Sequence, residues 1–110
     1  MIRFLSFASV LCVAWSTAAV WPPTSRAHLK TAVDMWSSDE TNALSMYGHI
    51  SGWDTSSITD MSELFYTITS FNEDISSWNT SSVINMDSMF RIASAFNGNI
   101  SGWDTSKVTA

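Results

Sequence analysis

Apolar residues recur along this chain at a fixed interval of 25 positions. Ile50 opens ISGWDTSSITDM, Ile75 opens ISSWNTSSVINM and Ile100 opens ISGWDTSKVTA. The apolar columns are Ile50/Ile75/Ile100, Trp53/Trp78/Trp103, Ile58/Val83/Val108, Met61/Met86, Leu64/Met89, Phe65/Phe90 and Phe71/Phe96. The polar columns are as regular: Ser51/Ser76/Ser101, Asp54/Asn79/Asp104, Thr55/Thr80/Thr105, Ser56/Ser81/Ser106 and Asn72/Asn97. No insertion separates the copies. A gapless period of this length predicts a stack in which each copy buries its apolar face against its neighbour. Burying one such side chain contributes roughly 1.5–3 kcal/mol, so the columns read as core.

The segment Ile50–Met61 is rich in Ser, Thr, Trp and Ile and reads as extended strand and turn. Met61, Leu64 and Phe65 then fall at i, i+3 and i+4, the spacing of a short helix face. The fold predicted is therefore an α/β solenoid, a leucine-rich-repeat-like stack of ~25-residue rungs, each a short parallel strand plus a short helix or turn. Before it, Pro22 and Pro23 open a linker. Ser25 caps a predicted helix with Leu29, Ala32, Val33 and Trp36 on one face. Ser37 and Glu40 read as a capping box for a second helix with Ala43, Leu44 and Tyr47 inward and Gly48 at its end. Two such helices suit an N-terminal cap on the first copy. The division expected is a signal peptide at 1–19, a linker and helical cap at 20–49 and the repeats at 50–110. The third copy stops at Ala110, which reads as truncation of a longer array.

The first residues differ from the rest. Arg3, the apolar run Phe4–Trp15 and the small residues Ser16–Ala19 describe a secretory signal peptide cut after Ala19. The run is short for a membrane span, so no stable span is expected once it is removed. Removal also takes Cys12, the only cysteine, and leaves no disulfide chemistry. The net charge of −5 becomes more negative when Arg3 goes, which argues against nucleic acid and anionic membranes as partners.

Reactive chemistry is not indicated. The Asp-Thr-Ser run after each Trp suits tight turns, since these side chains hydrogen-bond nearby backbone. Asn72 and Asn97 suit a buried ladder that satisfies loop backbone groups between copies. A calcium row is the alternative, but it would offer one carboxylate per copy, and Asn79 replaces it in the middle. His28 reads as a solvated helix position and His49 as a turn residue. The chain contains no phosphate loop, HExxH or CxxC. No enzyme activity, cofactor or metal is expected. Two sequons, Asn79-Thr-Ser81 and Asn99-Ile-Ser101, are candidate N-glycosylation sites.

The phrase ISxWDTSxVTxM…F…FN resembles the BspA-like leucine-rich-repeat surface proteins, in the branch whose 25-residue repeats occur in mycoplasmal lipoproteins and algal surface proteins. Residues 50–110 match the repeat, and residues 29–50 are similar to the helical lead-in of algal members. The resemblance implies an extracellular or surface solenoid with no catalytic residues; some of the wider group are adhesins. The chain departs from it in having few copies and a poor lipobox around Cys12, which favours a secreted protein. The function expected is non-catalytic binding of a protein or glycan, with Ser77, Asn79, Ser82 and Asn85 on the outer face as candidate contacts. The alternatives are a structural segment of a longer surface protein and a secreted ice- or mineral-binding solenoid using Thr and Ser rows.

Overall fold

The computed structural model describes residues 21–110. The expected signal peptide lies outside the described residues. Helix α1 spans Arg26–Ser38 and begins at Ser25, whose Oγ accepts from the His28 N–H at 3.1 Å. Leu29, Ala32, Val33 and Trp36 are buried on one face. Helix α2 spans Glu40–Tyr47. Asp39 serves both helices: its N–H donates to Met35 O at 2.7 Å, and its Oδ1 accepts from the Asn42 N–H at 3.2 Å. The capping box expected at Ser37 is therefore displaced. Because α1 runs on to Ser38, Ser37 lies in its last turn and its hydroxyl donates to Asp34 O. Glu40 becomes the first residue of α2, too early to complete a box. Gly48, at φ +78°, ends α2 in a conformation that glycine adopts without steric cost. Of the apolar face expected on α2, Ala43 is buried, Tyr47 is half-buried and Leu44 is exposed.

The α/β solenoid of leucine-rich-repeat type is not what the copies form. Among the described residues there is no strand, only an isolated parallel bridge between Asp60 and Asn85. After a short 3₁₀ turn at Ile50–Gly52 there is no helix either. The stretch expected to be helical is a ribbon of successive turns. Leu64 N donates to Met61 O, Tyr66 N to Glu63 O and Ile68 N to Phe65 O, at 3.1 to 3.3 Å. Glu63 and Thr67 stand at φ +56° and +63°, and Ser88 and Ile92 repeat them at +56° and +62°. A helix needs an unbroken run of negative φ, so a left-handed residue at every fourth position forbids one. The i, i+3, i+4 pattern is used all the same, because Met61, Leu64 and Phe65 are all buried.

This ribbon turns alternate N–H groups towards the next copy. Met61, Glu63, Phe65 and Thr67 donate to the carbonyls of Asn85, Asp87, Met89 and Arg91 at 2.8 to 2.9 Å. Ile84 N returns a bond to Thr59 O, and Thr109 N repeats it to Ile84 O, both at 2.8 Å. Side chains reinforce the register. The Trp78 indole donates to Ile50 O at 2.8 Å, and that of Trp103 donates to Ile75 O at 3.1 Å. The buried hydroxyls of Thr55 and Thr80 donate to Asn79 O and Asp104 O at 3.0 and 3.1 Å. Like rings face like rings: Phe65 and Phe90 lie 5.4 Å apart at 1°, Phe71 and Phe96 5.8 Å apart at 17°, and Trp53 and Trp78 6.3 Å apart at 20°. Such stacked pairs add about 0.5–1.5 kcal/mol beyond area burial. Burial weakens along the chain: Ile50 and Ile75 are enclosed, whereas Ile100 is 37% exposed.

The first copy has no earlier copy to meet, and the lead-in replaces one. Arg26 Nε donates to Ser62 O at 2.6 Å, and Lys30 Nζ donates to Leu64 O at 3.2 Å. The equivalent carbonyls one copy later, Asp87 and Met89, accept from backbone N–H groups of the first copy. Two cations one helical turn apart thus stand in for two missing amides. Trp21, and Pro23 of the expected linker, also pack here. Trp21 O accepts from Asp54 N and Pro23 O from Ser57 Oγ, both at 3.1 Å. The rings of Trp21, Trp36 and Tyr47 surround Trp53 at centroid distances of 5.1, 6.1 and 5.9 Å. The Trp53 indole donates to Gly48 O, at the end of α2.

Two stability measurements follow from this geometry. Thr55→Val and Thr80→Val should each cost about 1 kcal/mol, because each removes a buried hydroxyl that bonds the next copy. Thr105→Val, at an exposed position, should stay within ~0.5 kcal/mol of the parent in urea denaturation. Ile92→Gly should stabilise by about 0.5–1 kcal/mol, since relief of a β-branched left-handed residue exceeds the entropy cost of glycine. Ile84→Gly, comparably exposed and not left-handed, should destabilise by about 0.5–1 kcal/mol in the same assay.

Candidate interaction surface

The polar columns form a repeated series of side-chain-to-backbone turns. Asp54, Asn79 and Asp104 accept through Oδ1 from the N–H of Ser56, Ser81 and Ser106 at 2.9 to 3.0 Å. The hydroxyls of Ser56 and Ser81 add a second bond to the same oxygen, at 2.6 Å. A second series uses Asp74 and Asn99, which accept from Ser76 N and Ser101 N at 2.9 and 3.0 Å. His49 takes this role in the first copy, its Nδ1 accepting from Ser51 N at 3.2 Å. A third uses Asp60 and Asn85, which accept from Ser62 N and Asp87 N at 2.9 Å. Asp and Asn serve equally in these columns because the turn needs one side-chain oxygen and no charge.

The carboxylates in these turns are held below their ordinary range. For Asp54, Asp74 and Asp104 the main cause is the hydroxyl of the serine two residues on, followed by that serine's N–H. For Asp60, partial burial acts upward, but the bonds from Ser62 and the charge of Arg26 together outweigh it.

The four expected contact residues occupy different settings. Ser77 and Asn79 are exposed and flank the buried Trp78. The Ser77 hydroxyl donates to Ser51 O at 2.7 Å, and the Asn79 oxygen is committed to Ser81. Ser82 is half-buried beside Val83. Asn85 is half-buried in the bridge to Asp60, with its side chain on Asp87 N and its carbonyl on Met61 N. Of the two sequon asparagines, Asn99 is also exposed, with Oδ1 on Ser101 N.

Two shallow hollows lie elsewhere. One is lined by Asn72, Glu73 and Asp74 of the first copy and Ser76, Asn97, Gly98 and Asn99 of the second. The other lies where the helices meet the first copy and is lined by Trp36, Ser37, Glu40, Ser70, Phe71, Asn72 and Glu73. They share Asn72 and Glu73. The Asn72 Oδ1 accepts from Asn97 N at 2.9 Å, so the rung of the expected ladder is made, but both residues are exposed rather than buried. Glu73 Oε1 lies 3.9 Å from His49 Nε2, an ion pair when the ring is protonated, and Trp36 meets that ring edge-on at 4.9 Å. Glu73 was not singled out by the sequence pattern. The signal was its place between the Asn72 and Asp74 columns, both of which fall in the same turn. Among the described residues, no group of three or more His, Cys, Asp or Glu side chains is placed to hold a metal ion. The edge offers amide, hydroxyl and carboxylate groups for hydrogen bonding.

These features define a protein of in-register 25-residue copies closed at one end by two helices. The chain belongs to the family described as Mycoplasma protein of unknown function, DUF285, whose pattern covers residues 30–110. No curated protein and no solved structure matches it. Among the described residues no helix is long and apolar enough to cross a membrane.

The lowered carboxylates make stability depend on acid. A folded-state pKa below the ordinary 3.8 means that the unfolded chain binds protons first as pH falls. Their contribution is complete above 3.8 and is lost as pH drops through the folded values. The triple variant Asp54→Asn, Asp74→Asn, Asp104→Asn should keep the neutral-pH melting temperature, as Asn79 and Asn99 already make such turns. Its melting temperature should fall less steeply below pH 3.8 than that of the parent.

Proposed function

We propose that the protein is a non-catalytic binding protein, exported to the cell surface or secreted, that holds a protein or glycan along its polar turn edge. The supporting observation is the repetition of this edge in register. Asp54, Asn79 and Asp104, with His49, Asp74 and Asn99, present like groups in successive copies, each fixed by an internal hydrogen bond. Groups already held in place lose little freedom on binding. Equal spacing lets a repetitive ligand engage several copies at once, so that weak contacts add through effective concentration. The N-terminal sequence pattern and the likeness to BspA-like surface proteins support export, and the absence of a sequence motif for chemistry supports a binding role.

The test uses the full-length product of expressing cells. Its surface location is checked by protease shaving of intact cells. The protein is then displayed on beads and applied to a glycan array and to immobilised extracellular proteins. Binding that strengthens with bead density, and that falls at least tenfold in the Asp74→Lys, Asn99→Lys double variant, is the expected outcome. Comparable charge changes at Ser77, Asn79, Ser82 and Asn85 measure whether the contact extends across the outer face. Unchanged binding in both sets, or no binding at any density, would leave a structural segment as the better description.

A further inference from the structure

We propose that Asn97–Gly98 is a self-modifying site, at which the folded protein converts Asn97 to aspartate and isoaspartate without an enzyme. The Gly98 backbone nitrogen attacks Cγ of Asn97. The new N–Cγ bond closes a succinimide ring, the Cγ–Nδ2 bond breaks, and ammonia leaves with the proton from Gly98 N. Water then opens the ring at either carbonyl. Cleavage of N–Cγ leaves aspartate, and cleavage of the original peptide bond leaves isoaspartate with the chain running through Cγ. One ammonia leaves and one water enters, with no oxidant or reductant.

Four observations select this position. Of six asparagines in the chain, only Asn97 precedes glycine, whose missing Cβ leaves its nitrogen free to approach Cγ. Packing holds that glycine in place: a Cβ at Gly98 would lie 2.8 Å from the Phe96 ring. Phe96 cannot swing aside readily, being stacked on Phe90 at 4.4 Å and on Phe71 at 5.8 Å.

The side chains of the other asparagines are engaged. Asn72, Asn79, Asn85 and Asn99 each accept a backbone N–H through Oδ1, and Asn42 lies in α2 with Nδ2 on Met35 Sδ. Asn97 is exposed, and its side chain makes no hydrogen bond to the described residues; neither does the Gly98 N–H donate to one. Finally, the dipeptide lines the open hollow that also holds Glu73 and Asp74, so water and carboxylates are at hand for proton removal. The corresponding dipeptide one copy earlier, Asn72–Glu73, has neither the glycine nor a free side chain.

The product alters the edge locally. Either isomer adds a carboxylate beside Glu73 and Asp74, and isoaspartate lengthens the backbone within residue 97 itself, whose N–H bonds Asn72 Oδ1. The proposal stands whether or not that edge binds a ligand.

The full-length folded protein is aged in heavy-oxygen water at neutral and mildly alkaline pH, and its peptides are mapped by mass spectrometry with fragmentation that separates aspartate from isoaspartate. The expected result is label at residue 97, in both isomers, rising with pH, with at least tenfold less at each of the other five asparagines. Asn97→Gln, which leaves Gly98 and its packing untouched, should abolish the label. Gly98→Ala should slow it at least tenfold in any fraction that circular dichroism shows to be folded. Residue 97 staying intact in the folded protein while reacting in a peptide of residues 93–103 would overturn the proposal, because the fold would then be protective. Equal label at Asn72 or Asn99 would overturn it too.

Discussion

Everything in the repeated region depends on an offset hydrogen-bond register between copies. Alternate N–H groups of the ribbon from Met61 to Thr67 meet carbonyls 24 residues on, while each later tryptophan indole reaches back 28 residues. The two bond sets tie the same neighbouring copies, so a slide of one copy along the next stretches both. The aromatic columns follow from this alignment. Phe65 over Phe90 at 1° is the result of identical backbones placed in identical register, with no special choice of ring. The cost is backbone strain, carried by Glu63, Thr67, Ser88 and Ile92 in left-handed conformations. That strain recurs in both copies, as expected if it is what turns the donors outward.

The ends of such a register need separate chemistry. Internal carbonyls of the ribbon are satisfied by amides of the neighbouring copy. At the first copy the same carbonyls meet Arg26 and Lys30, long half-buried side chains whose heads donate. The aromatic column is likewise begun by rings from three different places, Trp21, Trp36 and Tyr47, arranged edge-on around Trp53. Edge-on packing ends a stack that parallel packing would extend.

How much of this was legible in the sequence depends on which physical signal each element sends. The columns of Ile, Trp and Phe were legible because burial must recur wherever the register does, whereas Thr55 and Thr80, read as turn residues, are buried and bond the next copy. Ser25 was legible because a cap needs one side-chain oxygen at one place. The Asp, Asn and Ser turns were legible for the same reason, and His49 fell into their series as a turn residue. Strand and helix were misread. A turn ribbon and a helix can both bury i, i+3 and i+4, so Met61, Leu64 and Phe65 could not separate them. The left-handed residues that decide the matter are Glu, Thr, Ser and Ile, none of which advertises a positive φ as glycine would. The hollow around Glu73 was hidden too, since it forms from two turns 25 residues apart whose proximity only the register creates. Arg26 and Lys30 registered only as charge, because a helix sequence does not say which carbonyls its cations will meet.

The indole bonds carry an implication for the gene as well as for the protein. Gaining or losing one whole copy returns each donor to an equivalent acceptor, and the join is chemically identical to the ones already present. Gaining or losing a single residue within a copy would misplace an indole, a threonine hydroxyl and a row of amides together. Length variation in this chain is therefore quantised. Whole copies can be added or removed in steps of 25 residues with the register intact, whereas small insertions and deletions fit only in the lead-in and the exposed corners.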